Sequence, residues 1–134
     1  MKSDIDIKDD IYIALLNSPL MKEVSGELCK RKRPHNSSAE DVVISVLANN
    51  IAQKQMAYVN VNVYVKDDDI DGQNEEQSQR LRLLCQLSMQ SVEAIHGKDY
   101  KVSFDDTDGQ RVIESEGEHI INNKLLYQII NEEV

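Results

Sequence analysis

The stretch AYVNVNVYV, residues 57–65, decides the architecture, because its side chains alternate without a break. Val59, Val61, Val63 and Val65 share one face, while Tyr58, Asn60, Asn62 and Tyr64 share the other. A period of two marks a β-strand with one buried face, so the valines belong to a core and the tyrosine and asparagine face meets solvent or a partner.

Upstream, VVISVL (42–47) is apolar at every position but Ser45 and rich in β-branched residues, which predicts a strand covered on both sides. Before it, ELCKRKR (27–33) has no helical stripe and runs into Pro34, Asn36, Ser37 and Ser38, so it predicts a short strand at a sheet edge with its cations alternating between faces. At the start of the chain, Ile7, Ile11, Ala14 and Leu15 recur at helical spacing, with Asp6, Asp9 and Asp10 placed early, where the helix dipole favours anions. That predicts a helix near residues 4–17. In NSPLMKEVSG (17–26), Ser18 is the N-cap of a further helical turn, Pro19 its first residue and Gly26 its stop.

Downstream, Leu81, Leu84, Cys85, Ser88, Val92 and Ile95 trace one face of a long helix between Glu75 and His96, with Gly97 in the left-handed position that ends it. Tyr100, Val102 and Phe104 then alternate with polar residues, and Asp108-Gly109 is a strong turn before RVIESE (111–116), which predicts a β-hairpin. The tail EHIINNKLLYQIIN (118–131) is ambiguous: Ile121, Leu125 and Ile129 suit a helix, and with Tyr127 they also share a strand face. A strand is preferred, since the sheet needs one more neighbour. The order is α-β-β-β-α-β-β-β. It describes one α+β domain over residues 1–134, with a mostly antiparallel, twisted sheet and helices packed on one face.

A formal charge of −9 repels polyanions and opposes a general DNA-coating or anionic-membrane role. The first residues form no secretory signal, and nothing approaches the roughly 20 apolar residues of a membrane span, so a cytosolic protein is expected. Cys29 and Cys85 lack any CxxC partner, which fits reduced thiols. Asp67, Asp69 and Asp71 before Gly72 match the first half of a calcium loop, but Ser78 stands where the bidentate glutamate belongs and Asn74 fills the eighth position. The segment reads as an acidic, solvated turn before the long helix. His35, His96 and His119 have no ligand spacing, no nucleophile motif or glycine-rich loop occurs, and the chain is expected to be no enzyme and to carry no cofactor or metal.

Lys30, Arg31, Lys32 and Arg33 are the exception in an acidic chain. Without interleaved aromatic residues for base stacking, protein contact or edge protection ranks above a solvated surface, and nucleic-acid binding ranks last. An edge role predicts that all four can be changed to serine with the fold intact.

GELCKRKRPHNSSAEDVVISVL (26–47), VNVNVYVKDD (59–68), the long amphipathic helix and the C-terminal hairpin plus strand together resemble prophage-encoded proteins of tail-completion type, over nearly the whole chain. Phage tail terminators of this layout are small α+β domains that form hexameric rings at the head-proximal end of the tail tube, stop its growth and offer a surface to the head. The resemblance implies a structural morphogenesis protein in the cytoplasm of a bacterial host and then in the virion. Its partners would be further copies of itself and tail-tube or head-connector proteins. Independently, the two-sided strand and the Tyr58/Asn60/Asn62/Tyr64 face present more β surface than two helices hide, which a homo-oligomer would cover. Lys30–Arg33 meeting Asp67, Asp69 and Asp71 of a neighbour would supply charge complementarity. The alternative is a small nucleic-acid-binding or protein-binding adaptor that uses residues 30–33.

Overall fold

The computed structural model describes residues 1–51, 54–70 and 73–130. Strand β3 (Met56–Lys66) runs through the middle of a six-stranded sheet. Antiparallel to it on one side lies β2 (Val42–Asn50) and on the other β8 (Glu118–Ile129). The alternation of residues 57–65 sets the burial: Val59, Val61, Val63 and Val65 are at most 1% exposed. Opposite them in register, Leu125, Asn123 and Ile121 of β8 are fully buried as well, so the ambiguous tail is a strand.

Helix α1 (Asp4–Leu15) lays Ile7, Ile11 and Leu15 on this face, a four-residue spacing that keeps all three on one stripe. Its start is fixed by a capping box in which Ser3 and Asp6 satisfy each other's backbone N–H groups. Ser18 caps the short α2 (Pro19–Glu23) as expected, with Pro19 at the first helical position, where its missing N–H costs nothing. Helix α3 (Ser78–Glu93) adds Leu81, Leu84 and Val92 to the same core. The protein is therefore α+β, with a mostly antiparallel sheet.

Several expectations are corrected. Only Leu28–Cys29 (β1) of residues 27–33 is a strand, pairing in parallel with Val42 and Val43; beyond it Lys30 turns to Asp9 and Arg33 to Asp41 instead of continuing the sheet edge. Coverage on both sides extends only over Val42, Val43 and Ile44; by Leu47, 54% exposed, β2 has left the core. Gly26 does not end α2, which closes at Glu23 with Val24 already extended. The bare Cα of Gly26 is needed elsewhere, since a Cβ there would lie 2.6 Å from the Asp41 backbone nitrogen. Gly97 is not left-handed; it leaves room for the Tyr100 ring.

The acidic turn is more ordered than expected, folding in part into a two-stranded ribbon, β4 (Asp68–Ile70) with β5 (Gln73–Glu75). The largest correction concerns Asp108-Gly109. Strands β6 (Tyr100–Phe104) and β7 (Gln110–Ser115) do not pair with each other; both pair with β8, one after the other, along the same edge. Residues 105–109 are an insertion within one interrupted edge strand. Lys124 grips both of its ends, accepting from the Asp105 N–H at 2.9 Å and donating to the Gly109 carbonyl at 2.7 Å. The true hairpin joins β7 to β8 through Glu116-Gly117, where Gly117 takes φ 73°, a left-handed conformation that glycine adopts without steric cost.

Candidate interaction surface

All three helices place their buried residues in the core on the valine face, which leaves the opposite face of β3 and β8 without a helical layer among the described residues. Tyr58, Asn60, Asn62 and Tyr64 stand there beside Leu126, Lys124, Asn122 and Ile120. The Asn122 amide donates to Asn62 Oδ1 at 2.7 Å. Lys124 lies 5.3 Å from the Tyr58 ring centre and the Arg33 guanidinium 4.4 Å from that of Tyr64, both cation–π contacts. Tyr58 is 36% exposed. The Asn60 side-chain oxygen is buried without a hydrogen-bond partner among the described residues, an unsatisfied acceptor in the middle of the uncovered face.

The four cations do not act as one patch. Arg33 is internal in function: its Nε donates to Asp41 Oδ2 at 3.1 Å, Nη1 to Glu118 at 3.0 Å, and Nη2 to the carbonyls of Ser37 and Ala39. Asp41, with a side chain 1% exposed, also accepts from the Ser37 hydroxyl and the Glu27 N–H. Burial by itself would raise the Asp41 carboxyl, but these hydrogen bonds and the Arg33 charge bring it below the usual carboxylate range. Lys30 bonds Asp9 at 3.0 Å and sits over the Tyr12 ring. Arg31 and Lys32 alone are exposed with no carboxylate within ion-pair distance among the described residues.

The expected acidic counterpart is likewise divided. Asp67, its side chain 7% exposed, lies 2.6 Å from His119 Nδ1, while the other ring nitrogen is 3.4 Å from Glu76. Asp69 is exposed on the ribbon, and Asp71 lies outside the described residues. Among the described residues no three His, Cys, Asp or Glu side chains converge to hold a metal ion. Burial pushes the Cys85 thiol up, and burial first among its causes does the same for Cys29, so both favour the protonated, less nucleophilic form. No helix is long and apolar enough to cross a membrane among the described residues.

Two networks had no signal in the sequence. Arg80 bridges Glu40 at 2.6 Å and Glu23 at 3.1 Å, tying α3 to the loop before β2. Hydrogen bonding to Arg80 holds the Glu40 carboxyl below its ordinary value, against the opposing effect of burial. The Tyr127 hydroxyl, at the end of a fully buried ring, donates to Asp10, which also accepts from Lys2 at 2.7 Å. Tyr100 stacks on Tyr127 at 4.9 Å. These contacts join residues far apart in the chain, and no local pattern announces them.

Comparison with protein-family models and with curated proteins finds no match to the chain.

Proposed function

We propose that the protein is a structural morphogenesis protein of the tail-completion kind, which works as a ring of identical copies that caps a phage tail tube and joins it to the head. The observation that supports this reading is the uncovered face of β3 and β8. It mixes aromatic, aliphatic and amide side chains and holds most of them half-buried. Such a face is suited to a second protein surface more than to a small ligand, which needs an enclosed cavity. In this reading assembly takes place in the cytoplasm of the bacterial host and the ring remains in the virion.

The test is polymerisation of a phage tail-tube subunit in the presence of the protein, followed by electron microscopy. Added protein is expected to stop tube growth and to appear as a ring on one end. Tubes of unchanged length with bare ends would overturn the reading. Tyr58→Ala combined with Tyr64→Ala should weaken capping while leaving the fold in place.

A further inference from the structure

The uncovered face is not the only unfinished part of the sheet. Its two edges are open as well. On one side, β1 pairs only with Val42 and Val43, so β2 from Ile44 to Asn50 has no neighbour beyond it among the described residues. On the other side, β7 pairs among the described residues with β8 alone, and five of its six residues are exposed, including Val112 at 46% and Ile113 at 40%. Folded proteins guard such edges with charge, proline, bulges or a covering loop, because each is a row of free N–H and C=O groups ready to pair. From Ile44 to Asn50 there is no charged residue and no proline, the stretch carries exposed Leu47, and the hollow beside it is lined by Met1, Leu47 and Ile51 together with the charged Lys2, Asp4 and Asp6. Within the strand itself its guard is the bulge near Leu47.

We propose that β7 of one copy adds in antiparallel pairing to the open stretch of β2 in the next copy, so that the sheets of successive copies join edge to edge. The proposal rests on the ring reading above and gives it a contact. Polarity supports a second copy as the occupant. The strands β2, β3, β8 and β7 alternate in direction, and an even number of alternating strands ends in edges of opposite polarity. Head-to-tail addition then keeps every pair antiparallel. Length supports it too, since six residues of β7 face a stretch of comparable length. The added strand would set Val112 on the helix-bearing face with Val46, and Ile113 on the uncovered face with Ala48.

Register fixes the geometry further. Ile44 is level with Val61, Val61 with Asn123, and Asn123 with Gln110, so β7 lies beside the start of β2 and not beside its open stretch. The next copy must slide along the strands by roughly six residues, about 20 Å, for every four strands, about 19 Å of sheet width. That corresponds to strands tilted by about 45° to the ring axis, close to the tilt at which closed barrels form.

The experiment uses two variants at exposed positions, Leu47→Lys and Ile113→Lys, with wild-type protein and light scattering for mass. Circular dichroism should show both folded. Wild type forms closed rings, alone or on the tube end. Each variant alone stays monomeric, because Leu47→Lys spoils every β2 edge and Ile113→Lys every β7 edge. Mixed in equal amounts, they should give one-to-one dimers that grow no further, since one sound edge of each kind remains. Backbone amides of β7 should exchange with solvent slowly in the ring and quickly in either variant. Rings from either variant alone, or no dimers on mixing, would overturn edge pairing while leaving the ring reading standing. Wild type that is monomeric both in solution and on the tube would overturn both.

Discussion

Arg33→Ala is expected to destabilise the protein by about 3 kcal/mol, whereas alanine at Lys30, Arg31 or Lys32 should cost about 0.5 kcal/mol or less. The magnitude follows from what Arg33 leaves behind. Asp41 is 1% exposed, and removing one partner of a buried ion pair costs roughly 3–5 kcal/mol because the remaining charge is stranded. The lower end applies, since Ser37 and Glu27 continue to donate to Asp41. Glu118, at 25% exposure, is rehydrated and adds little, while the Ser37 and Ala39 carbonyls each lose a donor. The Lys30 pair with Asp9 is about half exposed on both sides and screened accordingly. Urea unfolding at constant m reads the differences directly. The pH dependence has a definite sign. The Asp41 carboxyl is held low in the fold, so its contribution is fully present above its unfolded value, near 3.9, and is lost as pH falls through the lower folded value. The deficit of Arg33→Ala should therefore shrink below about pH 4. Equal losses at Arg33 and Lys32, or a loss at Arg33 under about 1 kcal/mol, would refute the assignment of Arg33 to the fold. The same result decides the fate of a fourfold serine variant, which by this account loses stability as well as charge.

Val61→Asp should cost at least about 3 kcal/mol by burying a lone carboxylate, while Tyr58→Ser on the uncovered face should cost about 1 kcal/mol; comparable losses in denaturant would place the wrong face inward. Tyr127→Phe should cost about 2 kcal/mol, the worth of a hydrogen bond to a charged group. Burial, with the bond to Asp10, pushes the Tyr127 hydroxyl well above its ordinary value, so the wild type should lose stability as pH rises past about 10, and the Phe variant should lose less over the same range; identical alkaline limbs would contradict this. Rings held by edge pairing should tighten between low and moderate salt, because copies of charge −9 repel one another across nearly neutral edges and that repulsion is screened over about 10 Å at 0.1 M; weakening with salt would point to charge-paired contacts.

Where the chain could be read from sequence, the physics was local. Alternation at residues 57–65 needs only the pleat to fix a face, and Ser18-Pro19 needs only the geometry of a helix start. Asp108-Gly109 misled for a reason of the same kind. The dipeptide does turn the chain, with Asp105 accepting from the Asp108 N–H, but a turn becomes a hairpin only if the flanking strands pair. Here β8, twelve residues long, offers one continuous ladder to both pieces, and Lys124 closes it across the insertion. Non-local pairing outweighed the local signal.

The cations illustrate the opposite limit. Four adjacent positive charges look alike in sequence, and only the loop's path separates them: residues 34–41 bring Asp41 and two carbonyls around Arg33, while Arg31 and Lys32 stay outside. Gly26 belongs to the same event. Its missing Cβ lets the Asp41 backbone come close, Asp41 then reaches the Glu27 N–H and Arg33, and Arg33 lies over the Tyr64 ring. The guanidinium thus links the loop, β8 through Glu118 and the uncovered face through Tyr64. A residue that reads in sequence as an interface charge is instead part of the fold, holding Tyr64 and the start of β2 in place from behind the uncovered face.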